Sequence, residues 1–99
     1  MFSYEEASVL LPEVRRATEE AYRRVERLAA SSESAAQSAA DEIVQAWAQG
    51  LLARGLEIKG LWLVDFDNGS GYYCWRYPEE RLDFYHSYEE GFGGRIRIQ

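Results

Sequence analysis

Cys74 and His86 are the single cysteine and the single histidine of this 99-residue chain. Both lie in the segment "YYCWRYPEERLDFYH", with Arg76 and Glu79 between them. Glu89 and Glu90 follow His86 by three and four positions, and Asp65 closes an apolar run upstream. A thiol, an imidazole and carboxylates bind divalent metals or move protons, depending on which of them meet in space. As a linear motif the set is incomplete. H-x-x-E-E lacks a second histidine, and Cys74 lacks the CxxC spacing of common zinc sites. A nucleophilic Cys74 would need a cation or a base beside it, and Arg76 is its nearest cation along the strand. "GFGGR", residues 91–95, offers backbone N–H groups and Arg95 for an anion, or simply a turn that lets Phe92 plug the core. It is not a P-loop, because the Lys-Ser/Thr pair and the following helix are absent.

The elements that position these residues fall into two parts, 1–55 and 56–99, expected to form one domain. Ser3-Tyr4-Glu5-Glu6 is a capping-box pattern, and a short helix is expected from it to Leu10. Pro12 suits the first turn of a second helix, so a turn or kink is expected at Leu10-Leu11-Pro12, then a helix to Ala30. Leu11, Val14, Thr18, Ala21, Val25 and Leu28 step by three and four along it. A turn with a serine N-cap is expected within Ser31–Ser34. Ala36, Ala40, Ile43, Trp47 and Gly50 then form a second seam, and Gly55 suits the helix end. The two make an antiparallel helical hairpin. Its apolar surface exceeds what one seam buries, so it must meet a sheet, a second copy of the chain, or both.

After Gly55, "LEIKGLWLVDF", "GYYCWRY" and "LDFYHS" read as three strands of an antiparallel meander, with Ile96-Arg97-Ile98 as a further short strand. The fold class is α+β: the helical hairpin packed on a small three-stranded antiparallel sheet. Asn68-Gly69 marks the first hairpin and Pro78–Arg81 a four-residue second loop. That register puts Val64 opposite Tyr73, Trp62 opposite Trp75, Trp75 opposite Phe84 and Tyr73 opposite His86. Trp62, Val64, Phe66, Tyr73, Trp75, Phe84 and His86 then share the helix-facing side. Leu61, Leu63, Asp65, Tyr72, Cys74, Arg76, Asp83 and Tyr85 share the other. Cys74 and His86 are separated by the sheet on this reading, which makes Cys74 a small half-buried apolar side chain. A bulge in the second hairpin would reverse that conclusion.

"FSYEEASVLLPEVR", "GLEIKG" with "LVDF", and "YCWRYPEERLDFYHSYEEGFGGR" together resemble an uncharacterised prokaryotic family, domain of unknown function 2203. The family pattern aligns with Cys74, Trp75, Arg76, Glu79, His86, Gly91, Phe92, Gly94 and Arg95. Pro78 stands where the family usually has glycine, and the loop after Phe66 is shorter. The resemblance implies a small soluble bacterial protein with a helical hairpin and a small sheet, and brings no activity with it.

Two function classes follow. One is a homodimeric binding or interaction module working through the helical hairpin. The other is a metal- or anion-binding site, with hydrolysis as the chemistry it would support, at the strand-end edge around His86 and Arg95. Its ligand-binding candidates are His86, Arg95, Arg76, Glu79 and Cys74, and its metal candidates are His86, Glu89, Glu90 and Asp65. The cofactor stays open, a divalent metal being the one these residue types admit. With a net charge of −6 and no basic face, a nucleic-acid partner is not expected. Residues 1–30 carry six acids against five arginines, and 57–99 carry eight acids against five bases. No apolar run approaches a membrane span and no basic–apolar leader opens the sequence, so a cytoplasmic location is expected, which a lone cysteine fits.

Overall fold

The fold is described from a computed structural model, which covers residues 1–98. The capping box forms as written. Ser3 Oγ accepts the Glu6 N–H at 3.0 Å, and the Glu6 carboxylate accepts the Ser3 N–H at 2.8 Å. From it one continuous helix, α1, runs over Tyr4–Ala29 with Pro12 inside it. The expected break at Leu10–Pro12 is therefore corrected. Proline deletes one N–H and crowds one carbonyl, at about 3 kcal/mol in a helix interior. Ala7, Leu11, Val14, Thr18 and Ala21 are all buried on one side of α1, and burying about 1.5–3 kcal/mol per large apolar side chain outweighs a single interruption.

The second helix, α2, spans Ala36–Leu52 and has no side-chain cap. No serine of the 31–34 turn caps it, contrary to expectation. Gly55 ends it with φ +91°, and the Leu56 N–H returns to the Leu51 carbonyl at 3.1 Å. That is the six-to-one closure glycine permits. Between the helices, Trp47 Nε1 donates to Thr18 Oγ1 at 2.8 Å, and the Thr18 hydroxyl in turn donates to the Val14 carbonyl at 2.7 Å. Every polar atom of this buried contact is thus satisfied.

The sheet has five antiparallel strands in chain order rather than three. They are β1 (Glu57–Gly60), β2 (Leu63–Asp67), β3 (Gly71–Arg76), β4 (Phe84–Ser87) and β5 (Ile96–Arg97). "LEIKGLWLVDF" splits because the chain reverses at Leu61–Trp62, with Trp62 at φ 61°. A left-handed tryptophan costs roughly 1–2 kcal/mol. Here the indole is clamped edge-on against Trp47 at 4.9 Å and Tyr22 at 6.1 Å, and burial of an aromatic on that scale is worth more than the strain. The face bearing Val64, Phe66, Tyr73 and Trp75 meets the helices, as expected, through Phe2–Phe66 and Tyr4–Tyr73 edge contacts.

Register decides the rest. In the β2–β3 hairpin the Asn68 N–H bonds the Gly71 carbonyl, so the two-residue turn is Gly69-Ser70, with Gly69 at φ +93°. Val64 therefore faces Trp75 and Phe66 faces Tyr73. Relative to an Asn68-Gly69 turn the pairing moves by two residues, which preserves the faces. The second hairpin differs by one. Tyr72 faces His86 and Cys74 faces Phe84, and that odd shift carries Phe84 and His86 to the opposite side of the sheet. The loop is residues 77–83, longer than the four expected. Trp75 Nε1 donates to the Glu79 carbonyl at 2.8 Å, the Glu79 carboxylate accepts the Arg76 N–H at 2.9 Å, and Leu82 is buried in the core. These three anchors absorb the extra residues.

Candidate metal centre

The corrected register assembles what the sequence had kept apart. Asp65 of β2, Cys74 of β3 and His86 of β4 project from the sheet face turned away from the helices. Asp65 and Cys74 are directly paired, and each of the three residues is at most 3% exposed. One ligand atom from each lies within 4.8 Å of the others. An outward face of a two-layer fold is normally wet. This one is covered because the chain after β4 folds back over it through Tyr88–Gly91 and a 3₁₀ turn, Phe92–Gly94, before β5 pairs with β4.

His86 is fixed at both nitrogens. Nε2 lies 2.9 Å from Asp65 Oδ2, and Nδ1 lies 2.8 Å from the Ser87 carbonyl. A carbonyl only accepts, so Nδ1 carries a hydrogen, and a single proton is shared between Nε2 and Asp65. Neither nitrogen is engaged by the Cys74 thiol, so His86 does not serve it as a base. Burial pushes that thiol up to about 12, with the Asp65 charge adding and Arg95 opposing. A thiolate nucleophile is not what this geometry builds. Burial likewise holds the Asp65 carboxyl above its ordinary value, against the lowering influence of His86 and Cys74. Asp65 Oδ1 is buried with no hydrogen-bond partner among the described residues. A buried unpaired carboxylate oxygen is costly, on the order of 1–3 kcal/mol, and asks for an explanation.

A cavity of about 380 Å³ opens directly onto the three side chains. Lys59, Tyr72, Tyr88, Glu89 and Glu90 help to line it. Glu89 and Glu90 are exposed at its rim and do not join the close group. Lys59 sits 4.4 Å above the Tyr72 ring, and both reach Glu57. Sequence reasoning missed Lys59, Tyr72 and Tyr88. The available signal was Tyr72's place on the Asp65–Cys74 face, which register alone would have tied to His86.

Arg95 occupies a different place from the one expected. Its guanidinium is sandwiched between Phe84 and Phe92, at 3.9 and 4.0 Å from their centroids, and forms a two-pronged pair with Glu79. Its charge is compensated, and its remaining reach is toward Cys74 Sγ at 3.9 Å. Arg95, not Arg76, is the cation beside the thiol. Arg76 is exposed and lies 5.5 Å over Phe92. Phe92 stacks on arginine rather than filling the core, and 37% of its surface is exposed. Gly94 has a steric reason: a Cβ there would meet the Glu90 side chain.

The profile of the uncharacterised conserved protein family DUF2203 matches residues 1–98. The chain belongs to that family. The match runs across both helices and all five strands, so the Asp65–Cys74–His86 cluster lies on the family's own scaffold. No curated protein and no solved structure matches the chain.

Proposed function

We propose that the protein binds one divalent transition-metal ion, of the zinc class, through Asp65, Cys74 and His86. The observation that carries this reading is the convergence of a carboxylate, a thiol and an imidazole, nearly dry, beneath a cavity, with Asp65 Oδ1 unpartnered. The donor set selects the metal. Thiol and imidazole favour zinc and its neighbours over magnesium or calcium, which take oxygen ligands. Metal bonds of about 2.0–2.3 Å would replace the His86–Asp65 hydrogen bond, now 2.9 Å, with one bond from each side chain to the ion. The Ser87 carbonyl already holds Nδ1–H, leaving Nε2 for the metal, and the Arg95 N–H faces the thiol sulfur that would carry charge. Such outer contacts orient ligands and tune their basicity. Three protein ligands would leave a position for water or substrate, the pattern of catalytic rather than structural zinc, and such an ion would supply an acidified water for hydrolysis.

The test uses protein purified without a histidine tag. Elemental analysis should find about one zinc per chain, or apo protein should gain thermal stability on adding zinc. Cobalt substitution should give a thiolate-to-cobalt charge-transfer band that Cys74→Ser abolishes. Protein that carries no metal and whose melting temperature zinc leaves unchanged would refute the site.

The length of the helical hairpin supports a second, compatible reading, self-association through the hairpin. The buried residues of α1 end at Ala21, while Val25, Leu28, Ala36, Ala40 and Ile43 further out are only half-buried. Two hairpins pairing into a four-helix arrangement would cover them. A sedimentation mass of one chain, 11.4 kDa, at micromolar concentration would dismiss it.

A further inference from the structure

A cavity of about 610 Å³ lies away from the candidate metal centre, between α1 and the 77–83 loop. Its floor is apolar, from Leu11, Pro12 and Leu82. Its rim carries Arg15, Arg16 and Arg81, none of which forms an ion pair among the described residues. Of the two carboxylates on the lining, Glu19 is already engaged by Arg23 and by the Tyr77 hydroxyl, which leaves Glu80 alone against three free guanidinium groups. In a chain of net charge −6, this is a local excess of positive charge at a concave surface.

Pro12 adds a second feature. It has no N–H, so the carbonyl of Ser8, four residues back, loses its regular helical donor, and Ser8 lines the same cavity. The walls are tied together, since the Tyr4 hydroxyl donates to the Leu82 carbonyl at 3.0 Å. The groove therefore offers an apolar floor and a forked cationic rim in a largely pre-formed space, the make-up of a small-ligand site.

We propose that this groove binds a small organic anion, one with a carboxylate or phosphate head and a hydrocarbon or aromatic body. The head takes the guanidinium forks, which match planar and tetrahedral oxyanions. The body lies on Leu11, Pro12 and Leu82. The site is separate from the metal centre and does not depend on it.

The experiment is a titration of the full chain followed by amide chemical shifts, with three probes: phenyl phosphate, benzoate and inorganic phosphate. Saturable shifts confined to residues 8–19 and 80–82 are expected with at least one of the two organic probes. Comparison of these two identifies the head group. Affinity should fall as salt rises, and by about tenfold or more in the double variant Arg15→Gln/Arg81→Gln. Arg24→Gln, outside the groove, should leave binding intact. The proposal is overturned by absence of saturation with both organic probes at millimolar concentration. It is equally overturned by shifts that survive the double variant, or by inorganic phosphate binding as tightly as phenyl phosphate, which would mean an adventitious ion only.

Discussion

Cys74 illustrates how one side chain's chemistry is set by what surrounds it. It is 1% exposed and its thiol is pushed up to about 12 by burial. In metal-free native protein at pH 8, iodoacetamide should therefore modify it orders of magnitude more slowly than in urea-unfolded protein, read by intact mass. Comparable rates would mean that the cover over the outer face is not closed. Tyr88, on the same cavity, gives a separate test. Its hydroxyl donates to Asp67 at 2.6 Å, and that bond, aided by desolvation, pushes the phenol up to about 12 and holds Asp67 below its ordinary value. The signs follow from linkage. The phenol's contribution to stability is present below its unfolded value of 10.0 and is lost as pH rises toward 12. The carboxylate's contribution is present above 3.8 and is lost as pH falls below it. Tyr88→Phe should flatten both limbs of a denaturation-versus-pH profile, and an unchanged profile would deny the bond. Nothing of this was readable from residue types alone. Asp65, Cys74 and His86 all stood out as candidates, but sequence spacing could not show that they meet.

At the scale of elements, the outcome turned on parity. Period-two patterning named the apolar helix-facing set of β2 and β3 correctly, and a misplaced turn there did no harm because the pairing moved by two. In the next hairpin the added loop residues moved it by one, and His86 changed sides. Loop length is where sequence patterning is weakest, since Leu82 and Glu79 anchor that loop through tertiary contacts that no local rule contains. The capping box and Gly55 were legible because their signals are local. Pro12 was misread for the converse reason, because core burial on both sides of it overrides the local stop. Two predictions belong here. Trp75 is fully buried on the helix-facing side, so Trp75→Ala should cost about 3–5 kcal/mol, against a stability of roughly 5–15 kcal/mol for a protein of this kind. Cys74→Ala should cost far less, and equal urea midpoints for the two would contradict the packing. Pro12→Ala restores one helical hydrogen bond at the expense of a stiffer unfolded chain. It should stabilise by about 2 kcal/mol in the same assay.

For the molecule as a whole, the extents of 45 × 25 × 21 Å describe a body with an arm. At 1.5 Å per residue α1 is about 39 Å long, yet its fully buried residues stop at Ala21. Among the described residues no helix is long and apolar enough to cross a membrane, and the arm's apolar residues Val25, Leu28 and Ile43 are half-buried. Hydrogen exchange by mass spectrometry should show residues 24–42 opening more readily than residues 7–21 in dilute protein. If the hairpin self-associates, that difference should shrink as concentration rises. Uniform protection along α1 at every concentration would contradict the unequal anchoring.

The strict chain-order sequence of the strands also has a kinetic consequence. Asp65 and His86 are only 21 positions apart, and two adjacent hairpins suffice to bring them and Cys74 together. Closing short loops carries little entropy loss, and folds built from such local pairings cross their barriers quickly. The Asp65–Cys74–His86 cluster is thus a local product of the meander. The contacts of Phe2 and Tyr4 with Asp67 and Leu82 are among those that span the most sequence, and such closures should come last.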